Sequence, residues 1–579
     1  MGELEPEVAA LLRKYALQNA LEYDGQGQIG SVMGRVMGEN ADLRSRAKEL
    51  TGFIAAQVNE ANALAAEKGL EHIRELLESE SPDALEKKVK ERREGLPPLP
   101  NAENVKVVLR FAPNPNGPLS LGHARGVVIN TELANMHDGE VILRFDDTDA
   151  VVKRPDPEAY AMIEDDFTWL AGRAPDRILK ASDRMDVYLE YAAKTLSQSH
   201  AYVCECSAEA FKEFRTTKTA CPCRNRTAED NLTLWEQMND GTILPGGAVV
   251  RIRTDMEHKN PALRDWPALR IQHADHPMVG ERYKVWPLLD FQSAIEDHLQ
   301  GVTHIVRGKD LMDSTRKQTL LYEKFGWTYP ETLYWGRVKV HEFGGFSTSQ
   351  MKSDIAEGKF SGWDDPRLPT IRAMRRRGYN PGAMRKFWVD LGLTQKDISV
   401  PLSTLNSLNA KAVDADAPRL SFVREPQTIH LDISGIEMDC VTLPVHPEHP
   451  DKGVREWALT DDFIKVKIAL EDFCEDGERR LKDFADIEIN QESSTNAWKG
   501  EVIRIERVGN TPIIHWVPEN MSKPATLLIE EDGELVLAEG FLENNEYPEG
   551  TIVQLERMGF AILEGHDQNG ARMMVRLHG

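Results

Sequence analysis

Cysteine is scarce in this sequence, with six residues among 579. That is too few in too long a chain for the disulfide framework of a small secreted protein. Long apolar runs are missing as well. None reaches the roughly 20 residues a membrane-spanning helix needs, so no membrane partner is expected. The N-terminus, MGELEPEVAALLRKY, is acidic and amphipathic and lacks the basic-then-apolar order of a secretory leader. A cytoplasmic protein is the expectation. Basic charge is in deficit too: 70 Lys and Arg stand against 94 Asp and Glu, a net charge of −24. This argues against a general polyanion binder with broad basic surfaces. It leaves room for a nucleic acid docked on one positive face. The clearest such face is the turn carrying Arg372, Arg375, Arg376 and Arg377, although a solvated helix face explains the same spacing equally well.

The length calls for three or four domains. Residues 1–100 read as a helical N-terminal domain: Val8, Leu11, Leu12 and Tyr15 share one helical face, and Ile54, Val58 and Leu64 continue the period. A charged stretch, EKKVKERREG, followed by LPPLPN has the composition of a linker. VKVVLRF at 105–111 then reads as a buried strand, residues 121–136 as a helix and GEVILRF at 139–145 as a second strand. That order predicts a parallel βαβ unit in an α/β domain of Rossmann type. VWPLLDF, THIVRG and ETLYWGRVKV read as later strands of the same domain, and from residue 401 short alternating runs predict all-β barrels.

Four of the cysteines stand in two close pairs, Cys204-Glu-Cys206 and Cys221-Pro-Cys223. Two thiolate pairs can close a tetrahedral structural zinc site; four reduced structural thiols are the alternative. Cys440 and Cys474 are isolated and read as structural.

The most informative stretch is RFAPNPNGPLSLGHAR, residues 110–125. A strand, a tight loop and a helix start place backbone amides where they can hold phosphate. Alone, a Gly-His pair at a helix start is equally a packed βα turn. The whole stretch resembles the His-Ile-Gly-His signature of class I aminoacyl-tRNA synthetases, most closely their glutamyl branch, with Ser120 in place of the usual first histidine. RFDDTDA, AYVCEC, GVTHIVRGKDL, GWDDPRLPTIRAMRRRGY and LPVHPEHPDKGVRE extend the resemblance along nearly the whole chain, in its archaeal or eukaryotic form. It implies a catalytic domain over 101–345 with an acceptor-stem insert at about 185–285. A signature loop and stem-contact region over 346–400 and β-barrel anticodon domains over 401–579 would follow.

The resemblance also implies chemistry. Ser120, Gly122, His123, Ser349 and Lys352 would contact ATP, with Gly122, His123 and Lys352 catalytic and Mg²⁺ sharing the phosphate charge. The second signature, FSTSQMKSD at 346–354, carries Gln350 where relatives often have lysine, so Lys352 would supply the charge. Arg110, Asn114, Asp146, Ser293 and Arg307 would hold L-glutamate, while Leu289 replaces a family tyrosine. The implied activity is ATP-dependent activation of glutamate and its transfer to tRNA(Glu), with tRNA(Gln) a further candidate. Relatives of this branch generally bind tRNA before activating the amino acid. A monomer is expected. The alternatives are a glutaminyl enzyme, disfavoured by Arg307, and a tRNA-binding scaffold that has lost catalysis.

Overall fold

Leu50, Ile54, Val58, Ala61 and Ala65 recur at helical spacing, and all five are buried. They form one face of α3 (Ala47–Glu80), which packs along α1 (Pro6–Glu22) and α2 (Ile29–Glu39). Pro6 stands at the first turn of α1, where its missing N–H costs no helix bond. Gly69 interrupts α3 at φ 83° and ψ 168°, a conformation that an L side chain rarely adopts. Ile73 and Leu77 resume the buried face beyond it. The computed structural model describes residues 4–81, 95–343, 347–472, 477–492 and 497–579. The charged linker stretch up to residue 94 and Cys474 therefore lie outside the described residues. The chain divides into two compact units, Met1–Arg93 and Glu94–Gly579.

The second unit begins with the anticipated βαβ order. β1 (Val108–Phe111), α4 (Leu121–Met136), β2 (Glu140–Phe145), α5 (Pro157–Ala171) and β3 (Arg177–Lys180) follow one another, and the strands pair in parallel. Between β3 and the next parallel strand lies an insert. It contains α6 (Met185–Ser197), β4 (Ala201–Cys204), α7 (Ala208–Thr217), α8 (Ala228–Asp240), β5 (Val249–Ile252), β6 (Pro267–Ile271) and β7 (Val285–Pro287). Its four strands form an antiparallel sheet. α9 (Leu289–Leu299) leads back to β8 (His304–Gly308), which joins β9 (Glu331–Trp335) in parallel through α10 (Met312–Phe325).

β8 runs beside β1. The Thr303 N–H donates to the Val108 carbonyl at 3.0 Å, and the Thr303 hydroxyl accepts from the Val108 N–H at 2.9 Å. The spatial order is thus β3, β2, β1, β8, β9, and the direction of winding reverses between β1 and β8. Open parallel sheets form their ligand crevice at the carboxyl ends of the strands flanking such a reversal. Arg110 lies near the end of β1 and Arg307 near the end of β8.

β10 (Val338–Val340), α11 (Thr348–Ala356), α12 (Ile371–Arg377), α13 (Pro381–Leu391), β11 (Ile398–Val400) and α14 (Leu402–Val413) follow. The remaining chain builds two seven-stranded, barrel-like sheets. Strands Arg419–Leu420 and Phe422–Arg424 open the first, the chain leaves to make the second between Pro426 and Pro518, and Ser522–His578 returns to complete the first. Alternation drives the burial here: Ile429 and Leu431 are buried while His430 between them is exposed. No helix among the described residues is long and apolar enough to cross a membrane.

VWPLLDF differs from its expected strand. Only Val285–Pro287 is extended, and Leu289 already begins α9, whose Phe291, Ala294 and Ile295 are buried at helical spacing. A short apolar run has no periodicity with which to tell the two apart.

Candidate active site

The first signature is a helix start held in place from several sides. Ser120 caps α4: its hydroxyl accepts from the His123 N–H at 3.4 Å, and the His123 Nδ1 accepts from the Ser120 N–H at 3.2 Å. With Nδ1 occupied as an acceptor, the neutral ring carries its proton on Nε2 and can donate there. His123 is exposed at the start of α4. Desolvation by neighbouring protein, with the charge of Lys153, lowers its pKa below the ordinary histidine value. Leu119 and Leu121 exchange backbone bonds with Ile371 and Pro369, each at 2.8 Å. The second signature presses on the same turn: a Cβ added at Gly117 would stand 2.7 Å from the Thr348 methyl and 3.0 Å from Trp363.

The fully buried Asp166 of α5 accepts from the Leu119 N–H at 3.0 Å. Burial pushes its carboxyl up to about 7 despite that bond and Arg372. A raised folded-state pKa contributes stability that is complete below the unfolded value and is lost as pH rises through about 7. Asp166→Asn keeps a carbonyl for Leu119 and removes the titration. Its melting temperature, relative to the unsubstituted protein, is expected to rise between about pH 4 and about pH 7 and to level off above that. A difference independent of pH would show that Asp166 does not titrate there.

Beside this turn lies a cavity of about 180 Å³ whose lining includes Arg110, Asp146, Leu289, Ser293, Arg307 and Gln318. Arg110 Nε reaches Asp297 at 3.2 Å, and Arg144 Nη1 reaches the same carboxylate oxygen at 2.6 Å. Arg144 also bonds Asp146 at 2.7 Å and the Ser293 hydroxyl at 2.7 Å. Burial alone would raise the Asp297 carboxyl, but Arg110, Arg144 and Arg307 together hold it below the ordinary carboxylate value. Arg307 is 5% exposed and, among the described residues, its side chain bonds only neutral oxygens: Gln318 Oε1 at 3.1 Å and Thr315 Oγ1 at 3.5 Å. The buried pocket therefore sets three cations, Arg110, Arg144 and Arg307, against two anions, Asp146 and Asp297. One positive charge is left in excess.

Sequence reasoning named Arg110, Asp146, Ser293 and Arg307, and the structure brings these together around one cavity. It places Asn114 elsewhere in the same loop system. Its amide donates to the Asp146 and Lys153 carbonyls at 3.1 and 3.4 Å, tying down the loop that follows β2. Arg144 and Asp297 escaped notice, although each left a signal. Arg144 is the one charge inside the apolar run VILRF, and α9 buries Gln292, Ser293, Glu296 and Asp297 alongside its apolar residues. Arg125 was missed as well. It is 3% exposed, donates to the Gly336 and Gly392 carbonyls at 2.8 and 2.7 Å, and burial lowers it to about 10. With Gly122, Gly308 and Trp335 it lines an adjoining cleft of about 80 Å³.

Lys352 and Ser349 sit on the exposed side of α11. Lys352 Nζ pairs with Asp156 at 2.6 Å, the residue that caps α5, while Gln350 turns back to Asp354 at 3.0 Å. The basic turn is corrected in part. Arg377 is 7% exposed and donates to the Leu577 carbonyl at 2.8 Å, and Arg376 pairs with Glu564 at 2.8 Å. Both fasten α12 to the first barrel sheet, Arg377 from a buried position and Arg376 from a half-exposed one. Arg372 and Arg375 remain at the surface, paired with Asp165 at 3.3 and 3.0 Å.

In the insert, the Sγ atoms of Cys204, Cys206, Cys221 and Cys223 all lie within 4.8 Å of one another, with Cys204–Cys221 at 3.9 Å and Cys206–Cys223 at 3.8 Å. Four thiolates about 2.3 Å from a tetrahedral zinc would stand about 3.8 Å apart, so the donor set fits that ion. Cys440 stands apart, half-buried on its own strand.

The chain belongs to the class I tRNA synthetases of the E and Q type: the family's catalytic domain matches residues 106–415, and its two anticodon-binding domains match 417–508 and 513–564. Among individual relatives, the glutamate–tRNA ligase of Archaeoglobus fulgidus is 44% identical over 564 residues, covering 96% of this chain and 98% of its own. That of Methanosarcina acetivorans is 45% identical over 564 residues, covering 97% of each. A solved glutamate tRNA ligase from Elizabethkingia meningosepticum, in complex with its amino acid, aligns over 54% of this chain and 70% of its own. Its identity is 20% and its TM-score 0.39.

Proposed function

We propose that the chain is a glutamate–tRNA ligase that activates L-glutamate with ATP and transfers it to the 3′-terminal adenosine of tRNA(Glu). The observation that carries the choice of amino acid is the single unbalanced positive charge of the buried pocket. Glutamate brings two carboxylates and one ammonium, a net charge of −1 that balances it. Glutamine brings no net charge and would leave a buried guanidinium without a counter-ion, which is costly. The same excess charge disfavours a scaffold that has lost catalysis, because an empty pocket has no use for it.

In this reading Arg307 and Arg110 hold substrate carboxylates, with the planar fork that suits them, and Asp146 faces the ammonium. The amides opening α4, with Ser120, Gly122 and the Nε2 proton of His123, hold the ATP phosphates. Lys352, released from Asp156, and Ser349 approach the same phosphates from α11. The glutamate α-carboxylate attacks the α-phosphorus, giving glutamyl-adenylate and releasing pyrophosphate. The 2′-hydroxyl of the terminal adenosine then attacks the acyl carbon and releases AMP. No side chain forms a bond to substrate, so the residues contribute positioning and charge stabilisation. Bound Mg²⁺ would share the phosphate charge. Cys204, Cys206, Cys221 and Cys223 would hold a structural zinc, and Arg372 and Arg375 would meet the tRNA backbone.

ATP–pyrophosphate exchange tests this reading. Exchange is expected with glutamate in the presence of tRNA(Glu), and not with glutamine. Exchange driven by glutamine would overturn the charge argument, and no exchange with either amino acid would favour the scaffold. Acylation of tRNA(Gln) in a parallel assay decides whether that tRNA is a second substrate.

A further inference from the structure

Arg307 is a buried cation with no carboxylate at ion-pair distance among the described residues, and its Nε has no hydrogen-bond partner. A guanidinium only donates, so the atom of Gln318 that faces it at 3.1 Å must be the amide oxygen. The second lone pair of that oxygen is taken by the Tyr329 hydroxyl, which donates at 2.6 Å. Gln318 is itself 1% exposed, on the buried face of α10, and lines the cavity that contains Arg110 and Arg307. Both lone pairs are occupied, so the amide cannot turn without losing two bonds in a buried site.

The choice of an amide here matters because glutamine and glutamate side chains have the same shape and differ by one charge. A glutamate at 318 would fit the same space, bond the same two donors and give Arg307 a full counter-ion. We propose that Gln318, locked by Tyr329, is a specificity-determining positioning residue: it supports Arg307 through a neutral oxygen and so reserves the guanidinium charge for the side-chain carboxylate of the substrate. The proposal rests on the glutamate-ligase reading above and deepens it. Burial pushes the Tyr329 phenol up to about 12, against the pull of Arg307. It therefore stays a protonated donor and adds no competing anion.

The test measures kcat and KM for glutamate in ATP–pyrophosphate exchange with the full chain and tRNA(Glu). Glutamine is read in parallel as a substrate or competitive inhibitor. Gln318→Glu is expected to lower kcat/KM for glutamate about 100-fold, mostly through KM. Glutamine should change by less than about threefold. The preference for glutamate would then collapse although no atom has been added. In an Arg307→Met background the same substitution is expected to leave the preference unmoved, because the charge it cancels is already gone. Equal losses for both amino acids, or the same shift with and without Arg307, would mean that Gln318 only fills space. Tyr329→Phe provides a milder check should Gln318→Glu not fold. It is expected to raise KM for glutamate about threefold to tenfold while leaving glutamine unchanged, and no change in either would overturn the proposal. Wild-type protein that activates neither amino acid would instead sink the ligase reading, a result distinguishable from intact glutamate activation with unaltered variants.

Discussion

Asp297→Asn is expected to lower the stability of the catalytic domain by about 3–5 kcal/mol, the usual cost of removing one partner from a buried ion pair. The residue is fully buried, and one of its oxygens receives both Arg110 Nε and Arg144 Nη1. An asparagine keeps the shape and loses the charge. Arg144 would retain Asp146, at 2.7 Å, but Arg110 has no second carboxylate within reach among the described residues. The pocket would then hold three cations against one anion. The sign of the pH dependence follows. The folded-state pKa of Asp297 is depressed, so its contribution is complete above about 4 and fades only as pH falls through the lower folded value. The deficit should therefore be full at neutral pH and shrink in acid. Urea denaturation at neutral and acidic pH measures both. A loss below about 1 kcal/mol at neutral pH would mean that Arg110 and Arg144 find other counter-ions. Activity is expected to fall at least about 100-fold, since Arg110, which lines the cavity, loses its carboxylate partner.

The parts of this network show how far sequence could lead. β1, α4 and β2 were legible because each follows a local rule: compact apolar runs for the strands, a capping serine and an apolar helical period between them. The four cysteines were legible because two short spacings suffice to specify a site. Arg144 and Asp297 stand 153 residues apart in the chain, and nothing local to either announces the other. A buried charge is recognisable in sequence only as an exception to an apolar pattern, and its partner is chosen by the topology that brings α9 across the sheet. The basic turn was only partly legible, for the complementary reason. Arg375, Arg376 and Arg377 are consecutive, yet the helix turns them to different neighbours. Arg377 is buried against the Leu577 carbonyl, half-exposed Arg376 reaches Glu564, and Arg372 and Arg375 pair with Asp165. Spacing identifies the residues on one face and leaves open what that face meets.

Removing the zinc proposed for the four cysteines is expected to have the other large effect, and to act on structure rather than on the cavity beside α4, since none of the four lines that cavity. The core around the cysteines is small. Tyr202, Cys204, Phe211, Cys221 and Cys223 are its buried residues, with few partly buried neighbours. Such a cluster cannot offset the entropy of ordering α7 and the turn at 221–225 by apolar burial alone. A structural zinc site in small peptides is worth about 10–16 kcal/mol near neutral pH. Part of the insert has an independent tie, because the Tyr202 hydroxyl and Arg224 Nε both reach Asp265, at 2.8 and 2.9 Å. Chelation, or Cys221→Ser, should therefore loosen the segment between Cys204 and Arg226 while β5 to β7 stay folded. The expected observations are one zinc per chain by elemental analysis, and its loss on chelation together with new proteolytic cleavage confined to about residues 204–226. tRNA acylation should fall at least about tenfold, while glutamate still binds, as read by calorimetry. Protein isolated without zinc, with cleavage unchanged by chelator, would identify the cluster as four reduced thiols. It would then follow that Asp265 and the small apolar cluster hold the insert together unaided.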